Sequence, residues 1–161
     1  MGPAGHLAFG FTAKQFTPDS PVIVLLVAAY LIDLLHFSLI VIGFDEAIAS
    51  FWAHSLLMAL FWSVLTMILT FLFTKKHSMS LILGLVVFSH WILDFLVWNN
   101  LPVGFNNTLK VGLGFYNMLG IDPSNIQFNT PLVVAALLET GLLVIGLFIF
   151  FRVRRKQRAV S

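Results

Sequence analysis

Ser89-His90-Trp91-Ile92-Leu93-Asp94 places an imidazole and a carboxylate four residues apart inside the apolar run Ser80 to Trp98. Residues i and i+4 share one face of a helix, so His90 and Asp94 stack one turn apart. A charged group at membrane depth costs several kcal/mol and therefore faces protein or a water-filled cavity. A pair of this kind can hold a metal ion, or it can lock two helices together as a structural pair.

The rest of the chain has the same apolar character. Of its 161 residues, 59% are hydrophobic and only 10% are charged, with a mean hydropathy of +0.96. A soluble domain carries about 25% charged residues, so this composition belongs in a lipid bilayer. There is no cysteine, which excludes disulfides, thiolate ligands and thiol redox motifs. Any metal must be held by His, Asp, Glu or water, which suits zinc or a harder divalent ion. A pI of about 9.2 invites a nucleic-acid reading. That reading is rejected, because the basic residues sit where a membrane protein puts them.

Four spans are expected, at about 21–43, 51–74, 80–98 and 131–151, in a single membrane domain with a basic tail at 152–161. Residues 1–16 lack the basic start and cleavage site of a secretory signal. Their apolar stretch is too short to span. It reads as an interfacial helix, or as a half-helix dipping in from the Lys14 side, which would carry His6 roughly 12 Å deep. Asp19, Ser20 and Pro21 suit a helix start. Residues 44–50 form a short connection, and Lys75-Lys76-His77-Ser78 a tight basic turn. The connection 99–130 is long and rich in apolar residues, and is expected to fold over one end of the bundle. The fold class is thus an all-α integral membrane protein: four transmembrane helices, a short N-terminal half-helix and a long outer loop between spans 3 and 4.

Charge sets the orientation. Lys14, Lys75, Lys76, Arg152, Arg154, Arg155, Lys156 and Arg158 fall on one side of the four spans, and only Lys110 on the other. The positive-inside rule then puts both termini in the cytoplasm of a cell with an inner (plasma) membrane. The basic tail is expected to meet anionic lipid headgroups.

In that arrangement His36, Asp33, His54, His90, Asp94 and Glu139, drawn from all four spans, lie within roughly 15 Å of the outer surface. Unrelated polar residues would scatter in depth, so a shared outward-opening cavity is expected. Two histidines with one or two carboxylates fit a catalytic zinc shell that keeps a position for water. Water on such an ion becomes a nucleophile near neutral pH. A carboxylate outside the shell could act as general base. Glu139, the one charge on span 4, is the first candidate, and His36 the second.

Gly5-His6, Asp33, His54-Ser55 and Ser89-His90-Trp91-Ile92-Leu93-Asp94 together resemble the family of membrane-bound metal-dependent hydrolases, small inner-membrane proteins of bacteria and archaea. The resemblance covers most of the chain, including Lys110-Val111-Gly112-Leu113-Gly114-Phe115-Tyr116-Asn117 and Glu139. It implies His6, Asp33, His54, His90 and Asp94 as the metal shell. The connection 44–50 is shorter than the family's. The function expected is metal-assisted hydrolysis of a lipid-like or amphiphilic ester, amide or phosphoester. Two rival functions are a non-enzymatic accessory or assembly subunit with membrane protein partners, and a proton or metal-ion conduit.

Overall fold

The computed structural model describes residues 2–104, 109–121 and 130–160. In chain order the elements are α1 (Pro3–Ala13), α2 (Val22–Val41), α3 (Glu46–His54), α4 (Leu56–Thr74), α5 (His77–Val97), β1 (Leu101–Pro102), β2 (Lys110–Val111), α6 (Phe115–Met118) and α7 (Thr130–Val160). Four of the helices, α2, α4, α5 and α7, are long and apolar enough to cross a membrane. Of these α5 is the most buried and packs on α4, α2 and α1. Leu25, Ile32 and Val87 are fully enclosed at its contact with α2.

Small residues bring the helices close. A side chain at Gly146 of α7 would meet the Ala8 carbonyl of α1 at 2.6 Å. One at Gly10 would meet the Leu25 carbonyl of α2 at 3.1 Å. Such backbone approaches are how apolar helices associate when lipid removes the hydrophobic drive between them. Ser63 also bonds across, its hydroxyl donating to the Gly84 carbonyl at 2.7 Å. Outward-facing positions stay apolar: Phe61, Val64, Ile68 and Leu72 of α4 are all half exposed or more.

The N-terminal segment is a helix folded against the bundle. Pro3 takes its first turn, where a missing N–H costs nothing. Its C-terminal end is tied down by Lys14, whose ammonium donates to the Pro18 and Ser20 carbonyls at 2.6 and 2.5 Å.

Several boundaries differ from those expected. The second span starts at Leu56, not near 51, and 44–50 is not a plain connection. Asp45 caps the separate helix α3, accepting from the Ile48 N–H at 2.9 Å. The chain breaks at Ser55, which is extended (φ −68°, ψ 149°) and caps α4 by accepting from the Met58 N–H. The loop satisfies the N–H freed at Leu57, through the Val103 carbonyl at 3.2 Å. Hydropathy does not register this break, because Phe51 to Leu60 reads as one apolar run. The third span begins at His77, so the basic turn is only Lys75 and Lys76, with Lys75 in the left-handed region (φ 56°). The residues of the basic tail to Val160 continue α7 as helix.

Between α5 and α7, β1 and β2 pair antiparallel with Leu101 opposite Val111. Gly112 (φ 142°) passes so close over the Trp98 carbonyl that no side chain fits. The Leu113 and Gly114 N–H groups donate to the Phe95 and Trp98 carbonyls, which lays this part of the loop over the end of α5. Residues 105–108 and 122–129 of the long connection lie outside the described residues.

Candidate metal centre

Four helices each bring one or two side chains to one point. On α5, His90 Nε2 and Asp94 Oδ2 lie 3.4 Å apart. From α2, Asp33 Oδ1 is 3.4 Å from His90 Nε2 and 3.3 Å from His54 Nε2. His54 is the last residue of α3, and its Nε2 is 3.7 Å from Asp94 Oδ2. From α1, His6 Nε2 is 3.5 Å from Asp94 Oδ1. The His6 and His90 rings stack with centroids 3.7 Å apart and planes 6° from parallel. Charge on both rings at once is disfavoured at that distance.

The break at Ser55 is what turns His54 inward. A continuous helix would have put it on the same cylinder as α4. Here α3 ends at His54, and the next residue leaves the helix. Burial is graded across the cluster. His6, His90 and Asp94 are 1%, 1% and 4% exposed and form the floor. Asp33 and His54 are partly exposed and form the mouth.

The second nitrogen of His90 is also assigned. Its Nδ1 lies 2.9 Å from the Ala29 carbonyl, so it carries the proton and donates. That makes Nε2 the ring atom that faces the two carboxylates, the orientation in which a histidine ligates a metal through one nitrogen while the other donates to a backbone carbonyl. His90 Nε2 and both ring nitrogens of His6 are buried without a hydrogen bond. Buried polar atoms without a hydrogen bond are uncommon, and the groups facing the two Nε2 atoms are the Asp33 and Asp94 carboxylates.

His36 and Glu139 stand beside this set. The His36 ring meets His54 edge-on at 5.1 Å, and its Nε2 is 3.3 Å from the exposed Glu46 carboxylate. Glu139 is buried on α7 and accepts from the Gly2 N–H at 2.5 Å and from the Tyr116 hydroxyl. Its carboxylate therefore caps the N-terminal end of α1, where helix N–H groups are unpaired and the dipole favours an anion. The Tyr116 phenol is held above its ordinary range, first by burial and then by Glu139.

No protein-family model, curated protein or solved structure matches this chain.

The donors themselves therefore carry the chemistry. His6, Asp33 and His90 form one triad and His54, His90 and Asp94 another, each with ligand atoms within 4.8 Å of one another. Neighbouring nitrogen and oxygen donors are separated by 3.3 to 3.7 Å. Adjacent ligands on a tetrahedral ion with bonds of about 2.1 Å stand roughly 3.4 Å apart. Three imidazoles and two carboxylates suit zinc or a harder divalent ion.

Several residues of this neighbourhood escape sequence reasoning. Gly2 and the Ala29 carbonyl act through backbone atoms, which no residue type announces. Tyr30 sets its ring edge against His6 at 6.2 Å. It lies three residues before Asp33, so shared helix-face position was the available signal. Glu46 had none, since exposed acids are ordinary.

Proposed function

We propose that this is an integral inner-membrane protein with a divalent-metal centre, most simply zinc, that hydrolyses a lipid-like or amphiphilic ester, amide or phosphoester. The observation that carries this reading is the convergence of three imidazole Nε2 atoms and two carboxylates, with His6 and His90 Nε2 buried and lacking hydrogen bonds. His6, Asp33, His54, His90 and Asp94 would hold the ion. A bound ion supplies a Lewis acid that polarises a substrate oxygen and makes water acidic enough to attack near neutral pH.

The chain's own residues do the rest. His90 is oriented by Ala29, and α1 is seated by Glu139, which keeps His6 over the floor. Asp33 and His54 open the centre to substrate. His36 packs edge-on against the His54 ring and pairs with exposed Glu46, which braces His54 in place and leaves His36 as the nearest further base. Glu139 with Tyr116 is the other group able to move a proton. One closed cluster, rather than a row of polar groups through the bundle, favours this reading over a conduit.

The orientation proposed has both termini in the cytoplasm. With 31 residues, α7 is about 46 Å long, well beyond a hydrocarbon core of about 30 Å. Its basic end, Arg152 to Arg158, then reaches the anionic headgroups.

Elemental analysis of the purified protein tests the reading. About one zinc per chain, lost in His90→Ala and Asp94→Ala, is expected. A metal-free protein that co-purifies stably with other membrane subunits would instead establish the accessory role.

A further inference from the structure

A cavity of about 850 Å³ opens between α5 and α7 beside α6. Val97, Tyr116, Leu137, Gly141, Leu142 and Ile145 are among the residues that line it. Among the described residues, α7 packs against α1 while α5 packs against α4 and α2, so α5 and α7 do not close tightly on each other. Gly141 deepens the cavity, for a side chain built there would meet nothing within 4 Å.

We propose that this groove is the subsite for one acyl chain of the substrate, so that the centre acts on an amphiphile with a hydrocarbon tail; this rests on the hydrolase reading above. Three features select a chain over other occupants. The lining is hydrocarbon apart from the Tyr116 phenol, and that hydroxyl is turned to Glu139. A polar or charged ligand would find nothing to bond along it. The groove is also elongated: Leu137 to Ile145 on α7 covers about 12 Å of helix axis, the reach of a medium-length chain. Its volume falls in the ordinary range for one small ligand, roughly 300–1,000 Å³, too little for a whole two-tailed lipid.

Its Tyr116 end is connected to the metal centre through α5 and through α1. Val97 of the lining is three residues after Asp94 on α5, and Tyr116 bonds the carboxylate that seats α1 and with it His6. A chain laid along α7 toward Ile145 would leave its head group near that end. Lipid already surrounds the hydrocarbon of a free chain, so selectivity comes from fit rather than from escape from water.

The test uses the full chain in mild detergent and a lysophosphatidylcholine with a brominated chain. Bromine quenches tryptophan, and Trp98 sits edge-on to Tyr116 at 5.4 Å. Wild type should show saturable quenching. Gly141→Leu fills the groove and should weaken binding about tenfold or more. Ile145→Phe, at an exposed position, should do the same from the other end of the groove and adds no tryptophan to the signal. Zinc content of each variant reports whether the fold survives. Non-saturable quenching of wild type, or unchanged affinity in both variants with zinc retained, overturns the groove. Saturable binding by a protein that holds no zinc would sink the hydrolase reading and leave the groove standing.

Discussion

Replacing Asp94 with asparagine separates a metal centre from a buried ion-pair network. Asp94 is the carboxylate in contact with all three imidazoles of the cluster: Oδ1 faces His6, and Oδ2 faces His54 and His90. Its side chain is 5% exposed, so water cannot take over its role. Asparagine keeps the shape and removes the charge. Structural zinc sites with four protein ligands are worth about 10–16 kcal/mol, or about 3 kcal/mol per ligand, and on that scale loss of one ligand is roughly a hundredfold in Kd. With free zinc at a hundred times the wild-type Kd, binding stabilises wild type by about 2.7 kcal/mol and the variant by about 0.4. The difference corresponds to about 5–9 °C in Tm for a chain of this size. The assay is thermal unfolding in detergent across a zinc titration buffered by chelator. Wild type should gain stability with zinc, and Asp94→Asn should need about a hundred times more zinc for the same gain. If the cluster is only an ion-pair network, zinc changes neither protein, and the variant is already weaker in chelator by about 3–5 kcal/mol. That second pattern would refute the metal centre.

Three further outcomes are expected. Gly146→Leu forces a side chain into the Ala8 backbone and should lift α1 away, lowering zinc affinity about 10–100-fold with every ligand intact; isothermal titration would show it, and unchanged affinity would mean that α1 does not deliver His6. In Tyr116→Phe the pH dependence should change at the alkaline end. The wild-type phenol is held above its ordinary value of 10.0 when folded, so the unfolded chain ionises first and wild type loses stability as pH rises beyond that point. Denaturation at a series of alkaline pH values should show this slope in wild type and a smaller one in the variant. Reporter fusions after Val160 and within 44–50 should report opposite sides of the membrane, with the C-terminal fusion cytoplasmic; the same side for both would refute the orientation.

Element type was legible and element ends were not. The apolar runs of α2, α4, α5 and α7 are long enough that helical spans were the one economical reading. The break at Ser55 was hidden, because a serine inside an apolar run reads as a tolerated polar residue. It becomes a cap only where the loop supplies the Val103 carbonyl to the exposed Leu57 N–H. The spacing of His90 and Asp94 was readable from helix geometry alone. Glu139 was singled out as a lone charge; its partners, the Gly2 N–H and the Tyr116 hydroxyl, come from segments 137 and 23 residues away in sequence.

What the amino-acid sequence determined by itself is the class of molecule and its repertoire: apolar helices, a one-sided distribution of basic residues, and metal-competent side chains with no thiol among them. These depend on composition and on local periodicity, both written along one dimension. Tertiary structure alone decided that His6 of α1 stacks on His90 of α5, that His54, at the end of α3, faces Asp33, and that no described side chain lies against Gly141. Such contacts join residues far apart in the chain. They follow from how closely the helices approach, and that is fixed by the small residues at their crossings once the whole bundle has formed.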